Sequence, residues 1–196
     1  MASNGSNRIR KADFEKTLSR KTRDQLRIKI KEIKKSRQGL ASSFLTNVLK
    51  NTPNFLGVYP QDFLLTFSPD TYPIKLILNL DVSSQPGTHW LSLCITETHL
   101  EIFDSFGLDP KTWNRKPVIL LKFIEKLSQS RNVLISPRFQ SNNSNLCGFY
   151  SILFLSLRAN FSFYEICHLF SLNLRLNDTV LSSFYTINTK NKQCYS

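Results

Sequence analysis

Apolar and polar positions alternate with a period of two most clearly over residues 90–103. Leu91, Leu93 and Ile95 alternate with Ser92 and Cys94, and Leu100 and Ile102 with Glu101 and Phe103, the signature of paired half-buried strands. A turn centred on Thr96-Glu97 sets Leu91 opposite Ile102, Leu93 opposite Leu100 and Trp90 opposite Phe103. It also sets His89 opposite Asp104. Thr-Glu is not a favoured two-residue turn, so a longer turn with a shifted register stays open. Elsewhere the pattern predicts strands at Ile74–Leu80, Leu64–Phe67 and Asn132–Ile135, and an extended segment over 55–60. Helices are predicted at Val118–Leu127 and Phe163–Phe170, and around Phe44, Leu45, Val48 and Leu49, the last capped by Ser42 or Ser43 and interrupted by Pro53. The run from Cys147 to Leu157 is apolar on nearly every side and predicts a central, fully covered helix. From Asn173 onward no period stands out.

The N-terminal pattern is different. Phe14, Leu18, Leu26, Ile30 and Ile33 recur mostly at three- and four-residue intervals with a gap at Thr22, predicting a partly amphipathic helix that Gly39 ends. Its other faces are basic. Residues 1–40 carry 13 Lys or Arg against four Asp or Glu, whereas the remaining residues carry 13 against ten, so the net charge of +12 sits mainly in this segment. The expected organisation is a basic arm or helix over 1–40 and a catalytic domain over 41–196. Three readings of the arm stay open: a solvated helix, a polyanion-binding element acting through Lys29, Lys31, Lys34, Lys35 and Arg37, and a nuclear import signal.

At 196 residues and 41% hydrophobic, with 15 Phe, the chain can build one substantial core and is not of disordered composition. No apolar run is long enough to span a bilayer and no signal-peptide core is visible, so an intracellular, membrane-free protein is expected, a monomer by preference. Cys94, Cys147, Cys167 and Cys194 show neither zinc-ligand spacing nor a disulfide framework, so reduced thiols and no metal are expected.

The candidate chemistry lies at Cys147. It follows the polar turn-forming stretch Asn142–Asn145 and opens the apolar helix, where the helix dipole favours a thiolate. His89 supplies a base suited to neutral pH. Asp104 would orient that base and stabilise its charged form. Gln140, seven residues before Cys147, could offer an amide N–H to an oxyanion beside the Cys147 backbone N–H. Each residue alone has an ordinary structural explanation; their joint order and the hairpin register point to nucleophilic cysteine catalysis with no cofactor.

Gly87-Thr88-His89-Trp90-Leu91, Phe103-Asp104-Ser105-Phe106-Gly107, and Gln140 through Leu146-Cys147-Gly148 resemble the adenovirus maturation proteases (the adenain family), within the wider group of ubiquitin-like-protein-processing cysteine proteases. Pro53–Tyr59 is similar to that family's N-terminal Phe-Leu-Gly segment. The resemblance implies an α+β, papain-like fold with the Cys helix packed on a mixed or antiparallel sheet. It also implies a viral endopeptidase of the virion and host nucleus that cleaves capsid or core precursors, with DNA as an activator. Asp104 stands where adenain has Glu. The stretch Gln129–Ile135 lacks the cysteine through which adenain is linked to an activating peptide, leaving peptide activation open. Two other readings remain: a deubiquitinating or deSUMOylating isopeptidase using the same triad, and an inactive DNA-binding protein on this scaffold.

Overall fold

The computed structural model describes residues 11–36, 39–108 and 116–185. In chain order the elements are α1 (Lys11–Lys16), α2 (Arg20–Ser36), α3 (Ser42–Leu49), β1 (Phe55–Pro60), a 3-10 helix (Gln61–Leu65), β2 (Ile74–Asn79), β3 (Trp90–Ile95), β4 (His99–Phe103), α4 (Val118–Ser128), β5 (Asn132–Ile135), α5 (Cys147–Leu157), α6 (Phe163–Cys167) and α7 (Leu174–Tyr185). The strands form one sheet in the order β1-β2-β3-β4-β5. The outer pairs, β1–β2 and β4–β5, are parallel, and the inner pairs are antiparallel. The expected α+β class, with the cysteine-bearing helix on a mixed sheet, is what the chain adopts.

Both faces of the sheet are covered. Leu76, Leu78, Leu91, Leu93, Leu100 and Ile102 pack with Leu64, Leu120 and Phe123 on one face. On the other, Ile77, Cys94 and Phe103 meet α5, whose eleven residues are all buried. A helix without a polar face must be surrounded, and α5 is. Its far end is tied to the sheet by Arg158, which donates two hydrogen bonds of 2.6 Å to the Glu101 carboxylate.

The basic N-terminal segment belongs to this core. Phe14, Leu26 and Ile30 are no more than 1% exposed, and the Phe14 ring lies edge-on to Phe184 and Tyr185 of α7 at 5.8 and 5.3 Å. Each buried side chain of this size is worth about 1.5–3 kcal/mol, so the contact is a substantial part of the fold. The single helix expected here is two. The Ser19 hydroxyl accepts the Thr22 N–H and caps α2, while Thr17 donates back to the Phe14 carbonyl and closes α1.

Other expectations are corrected. The hairpin pairs Ile95 with Leu100 and Leu93 with Ile102, and Ser92 with Phe103, because the turn centres on Glu97-Thr98: Thr96 donates its N–H to His99 O, and its hydroxyl accepts the Thr98 and His99 N–H groups. His89 and Asp104 are therefore diagonal neighbours, not direct partners. The strand expected at Leu64–Phe67 is replaced by the 3-10 helix, which buries Gln61 and Leu64 three residues apart. Ala41, without a side-chain cap, precedes α3, and Ser42 and Ser43 lie in its first turn. Helix α6 starts at a Ser162–Glu165 capping box but ends at Cys167, short of Phe170. Helix α7 shows no apolar period in the sequence because its buried face includes polar Asn177 and Ser182 beside Leu181, Phe184 and Tyr185.

Candidate active site

His89 precedes β3, and its carbonyl accepts the Leu80 N–H, prolonging the β2–β3 ladder. The loop before it is held by Asp81, whose carboxylate accepts the Thr88 N–H at 2.8 Å and its hydroxyl at 2.5 Å. A Cβ at Gly87 would press on the side-chain amide of Asn79, so any larger residue there would have to displace that buried side chain. These contacts fix the imidazole, which is 7% exposed and lies against the Phe106 ring at 4.7 Å between centroids.

Asp104 leaves the end of β4 and is fully buried. Its Oδ1 lies 2.6 Å from His89 Nε2 and also accepts the Phe106 N–H, and Oδ2 accepts the Leu108 N–H. Ser136 fastens its backbone on both sides, accepting the Asp104 N–H and donating to the Asp104 carbonyl. The turn that delivers the Phe106 and Leu108 amides passes through Gly107 at φ +69, where a Cβ would meet the Arg138 backbone nitrogen at 2.8 Å. With three hydrogen-bond donors around it, the carboxyl stays below its ordinary pKa: burial opposes ionisation, and His89 and the two backbone amides outweigh it.

Cys147 is the first residue of α5 and 7% exposed. Burial by itself would raise its thiol pKa, but the neighbouring His89 imidazole, with backbone N–H groups of Trp90 and Gly148, lowers it. His89 shows the reciprocal effect. Burial would lower its pKa, yet the Asp104 carboxylate and the Cys147 thiolate raise it to about 10. With Nε2–H directed to Asp104, Nδ1 is the nitrogen left to exchange a proton with the thiol; it is buried and makes no hydrogen bond. Cys94 and Cys167, by contrast, are pushed up to about 12 by burial, where a thiol is inert.

Gln140 is fully buried. The Ser105 hydroxyl donates to its Oε1 at 2.6 Å, and its Nε2 donates to the Ser144 carbonyl. An amide nitrogen carries two protons, so one remains for a ligand. The Ser105 carbonyl in turn accepts the Phe139 and Gln140 N–H groups at 2.8 and 2.9 Å. Ser105 and Ser136 support the site in ways that sequence reasoning missed; a serine hydroxyl announces no partner until the fold supplies one. Gln140, Cys147, His89, Trp90 and Phe106 line a cleft of about 640 Å³. The four residues expected to form a catalytic constellation are thus brought to one place. A thiolate–imidazolium pair beside an amide donor is equipped for acyl transfer.

Of the residues expected to bind DNA, Lys29 and Lys31 lie on α2, and Lys29 pairs with Glu32 at 2.9 Å. Lys34 and Lys35 belong to the last turn of the same helix, and Arg37 lies outside the described residues. Among the described residues, no group of three or more His, Cys, Asp or Glu could hold a metal ion, and no helix is long and apolar enough to cross a membrane.

No protein-family model and no curated protein matches the chain. Among solved structures it is similar to the C-terminal Ulp1 protease domain in complex with Smt3, the yeast orthologue of SUMO. The identity is 14%, the alignment covers 86% of this chain and 95% of that one, and the TM-score is 0.38.

Proposed function

We propose that the chain is a cysteine peptidase of papain-like architecture, with Cys147 as nucleophile, His89 as general base and acid, Asp104 as orienting carboxylate and Gln140 as oxyanion donor. The carrying observation is the buried Asp104–His89 pair beside a Cys147 thiol of lowered pKa, at the wall of an open cleft. His89 Nδ1 takes the thiol proton, and the thiolate attacks the substrate carbonyl carbon. Negative charge develops on the carbonyl oxygen, facing the remaining Gln140 amide N–H and the Cys147 backbone N–H, which opens the helix and has no carbonyl a turn earlier to bind. The imidazolium returns its proton to the leaving amine as the C–N bond breaks. Water, deprotonated by His89, then cleaves the thioester and restores the thiol.

The motif resemblance supports the finer reading: a maturation endopeptidase of a virus or virus-like element, acting on capsid or core precursor proteins in the virion and host nucleus. The basic α1–α2 segment supplies charge for DNA as an activator. The test is turnover of Gly-containing peptides and of fluorogenic SUMO and ubiquitin substrates, with and without duplex DNA, using Cys147→Ala as control. DNA-stimulated peptide cleavage that vanishes in the variant supports this reading. Cleavage of the ubiquitin-like substrates alone replaces it with the isopeptidase. DNA binding by a protein whose Cys147 reacts no faster than a free thiol replaces it with the inactive scaffold.

A further inference from the structure

The oxyanion donors assigned above stand on two different pieces of the chain. Gln140 lies on the loop after β5, and the Cys147 N–H lies at the start of α5. Their separation must be held to within a fraction of an ångström for both to meet one oxygen. The structure places a bridge between the two pieces. Asp178 of α7 accepts the Ser141 hydroxyl on Oδ2 at 2.6 Å and the Tyr150 hydroxyl on Oδ1 at 2.9 Å. Ser141 adjoins Gln140, and Tyr150 is one helical turn beyond Cys147.

Its neighbour Asn177, 1% exposed, completes the clasp from the other side of Gln140. The Asn177 amide nitrogen donates to the Phe139 carbonyl at 3.1 Å and to Ser171 O at 2.8 Å, while its oxygen accepts the Ser171 N–H. The Tyr150 hydroxyl also reaches the Phe139 carbonyl, at 3.4 Å. Gln140 is therefore gripped at the residue before it and the residue after it, both times from α7. Of the two, it is Asp178 that hydrogen-bonds to both the glutamine loop and the nucleophile helix.

We propose that Asp178 is a positioning residue for acyl transfer, fixing the glutamine loop against the cysteine helix so that the two oxyanion donors converge. This rests on the peptidase reading and adds to it a residue that contacts neither thiol nor imidazole. The bridge serves carbonyl chemistry only. Alkylation of Cys147 by iodoacetamide displaces iodide and develops no oxyanion; it needs only the thiolate. Acylation by p-nitrophenyl acetate expels p-nitrophenolate through a tetrahedral oxyanion and needs the donors.

The experiment compares the two rates at one pH in the full chain, with Cys147→Ala as the blank. Asp178→Ala should slow acylation about 10- to 100-fold, less than the 10²–10³ for outright loss of one donor, and leave alkylation within about twofold. Asp178→Asn keeps an oxygen to accept from one hydroxyl and offers an NH₂ that the other hydroxyl can accept, and should recover most of the loss. Ser141→Ala severs only the loop side and tests the idea in a variant with little fold to lose; it should slow acylation several-fold with alkylation intact. Equal loss of both rates, or loss of neither, in a folded Ser141→Ala and Asp178→Ala pair overturns the proposal. A wild-type Cys147 that is alkylated rapidly but not acylated above the blank overturns the peptidase reading itself, and the bridge with it.

Discussion

Replacing Asp104 by Asn removes one charge while conserving shape, and the structure says how the replacement must sit. Oδ1 accepts from His89 Nε2 and the Phe106 N–H, and Oδ2 from the Leu108 N–H. Every partner is a donor. An asparagine oxygen can replace only one of these carboxylate oxygens, and it satisfies two donors when it faces His89 and Phe106, leaving its NH₂ against the Leu108 N–H. The imidazole thus keeps its orientation and tautomer, and what it loses is the carboxylate charge. An opposite charge at hydrogen-bond distance is worth about one to three pH units, so the His89 midpoint should fall by that amount from about 10. If the whole effect acts on the imidazolium, acylation falls about 10- to 10³-fold.

His89, raised from 6.5, contributes stability that is complete below 6.5 and lost as pH rises towards about 10. Asp104, lowered from 3.8, contributes above that value and loses its contribution as pH falls through the native pKa. The variant should show weaker stability losses at both ends. The assay is an NMR titration of the His89 ring in native and variant protein, with acylation rates alongside. A midpoint unchanged within about 0.3 unit would refute the claim that the Asp104 charge holds the imidazolium.

Leu26→Ala removes a side chain that is 0% exposed and should cost about 2–5 kcal/mol in chemical denaturation; a cost under about 0.5 kcal/mol would mean that α2 is detachable. For the same reason, DNA binding is better tested by charge reversal than by deleting the segment. Lys29→Glu with Lys31→Glu should make the salt dependence of duplex binding shallower by about two counterions, and an unchanged slope argues against these lysines as contacts. Arg158→Ala leaves Glu101, at 3% exposure, without its bidentate partner. Breaking a buried pair costs about 3–5 kcal/mol, and partial exposure of Arg158 puts the expected loss at about 3 kcal/mol. Recovery by a Glu101→Gln/Arg158→Met pair would separate the buried-charge penalty from lost packing, and no loss in Arg158→Ala would refute it.

Local patterns carried much of this protein. The apolar runs at Ile74, Leu91, Val118 and Cys147 located β2, β3, α4 and α5, because burial of a sheet face or a whole helix leaves a period that can be read residue by residue. Residue type and position beside a strand end or helix start singled out His89, Asp104 and Cys147 as candidates, and a spacing of seven from Cys147 singled out Gln140. What tertiary structure decided is whatever depends on a partner distant in sequence. The His89–Asp104 contact survives a different register because diagonal neighbours on adjacent strands are within reach. Helix α7 hides a buried face behind Asn177 and Ser182, whose partners lie in another segment. The basic N-terminus reads as a separate arm by charge, yet Phe14, Leu26 and Ile30 are buried against α5 and α7. Charge is a property of composition, but whether an apolar stripe is covered depends on what the rest of the chain brings to it.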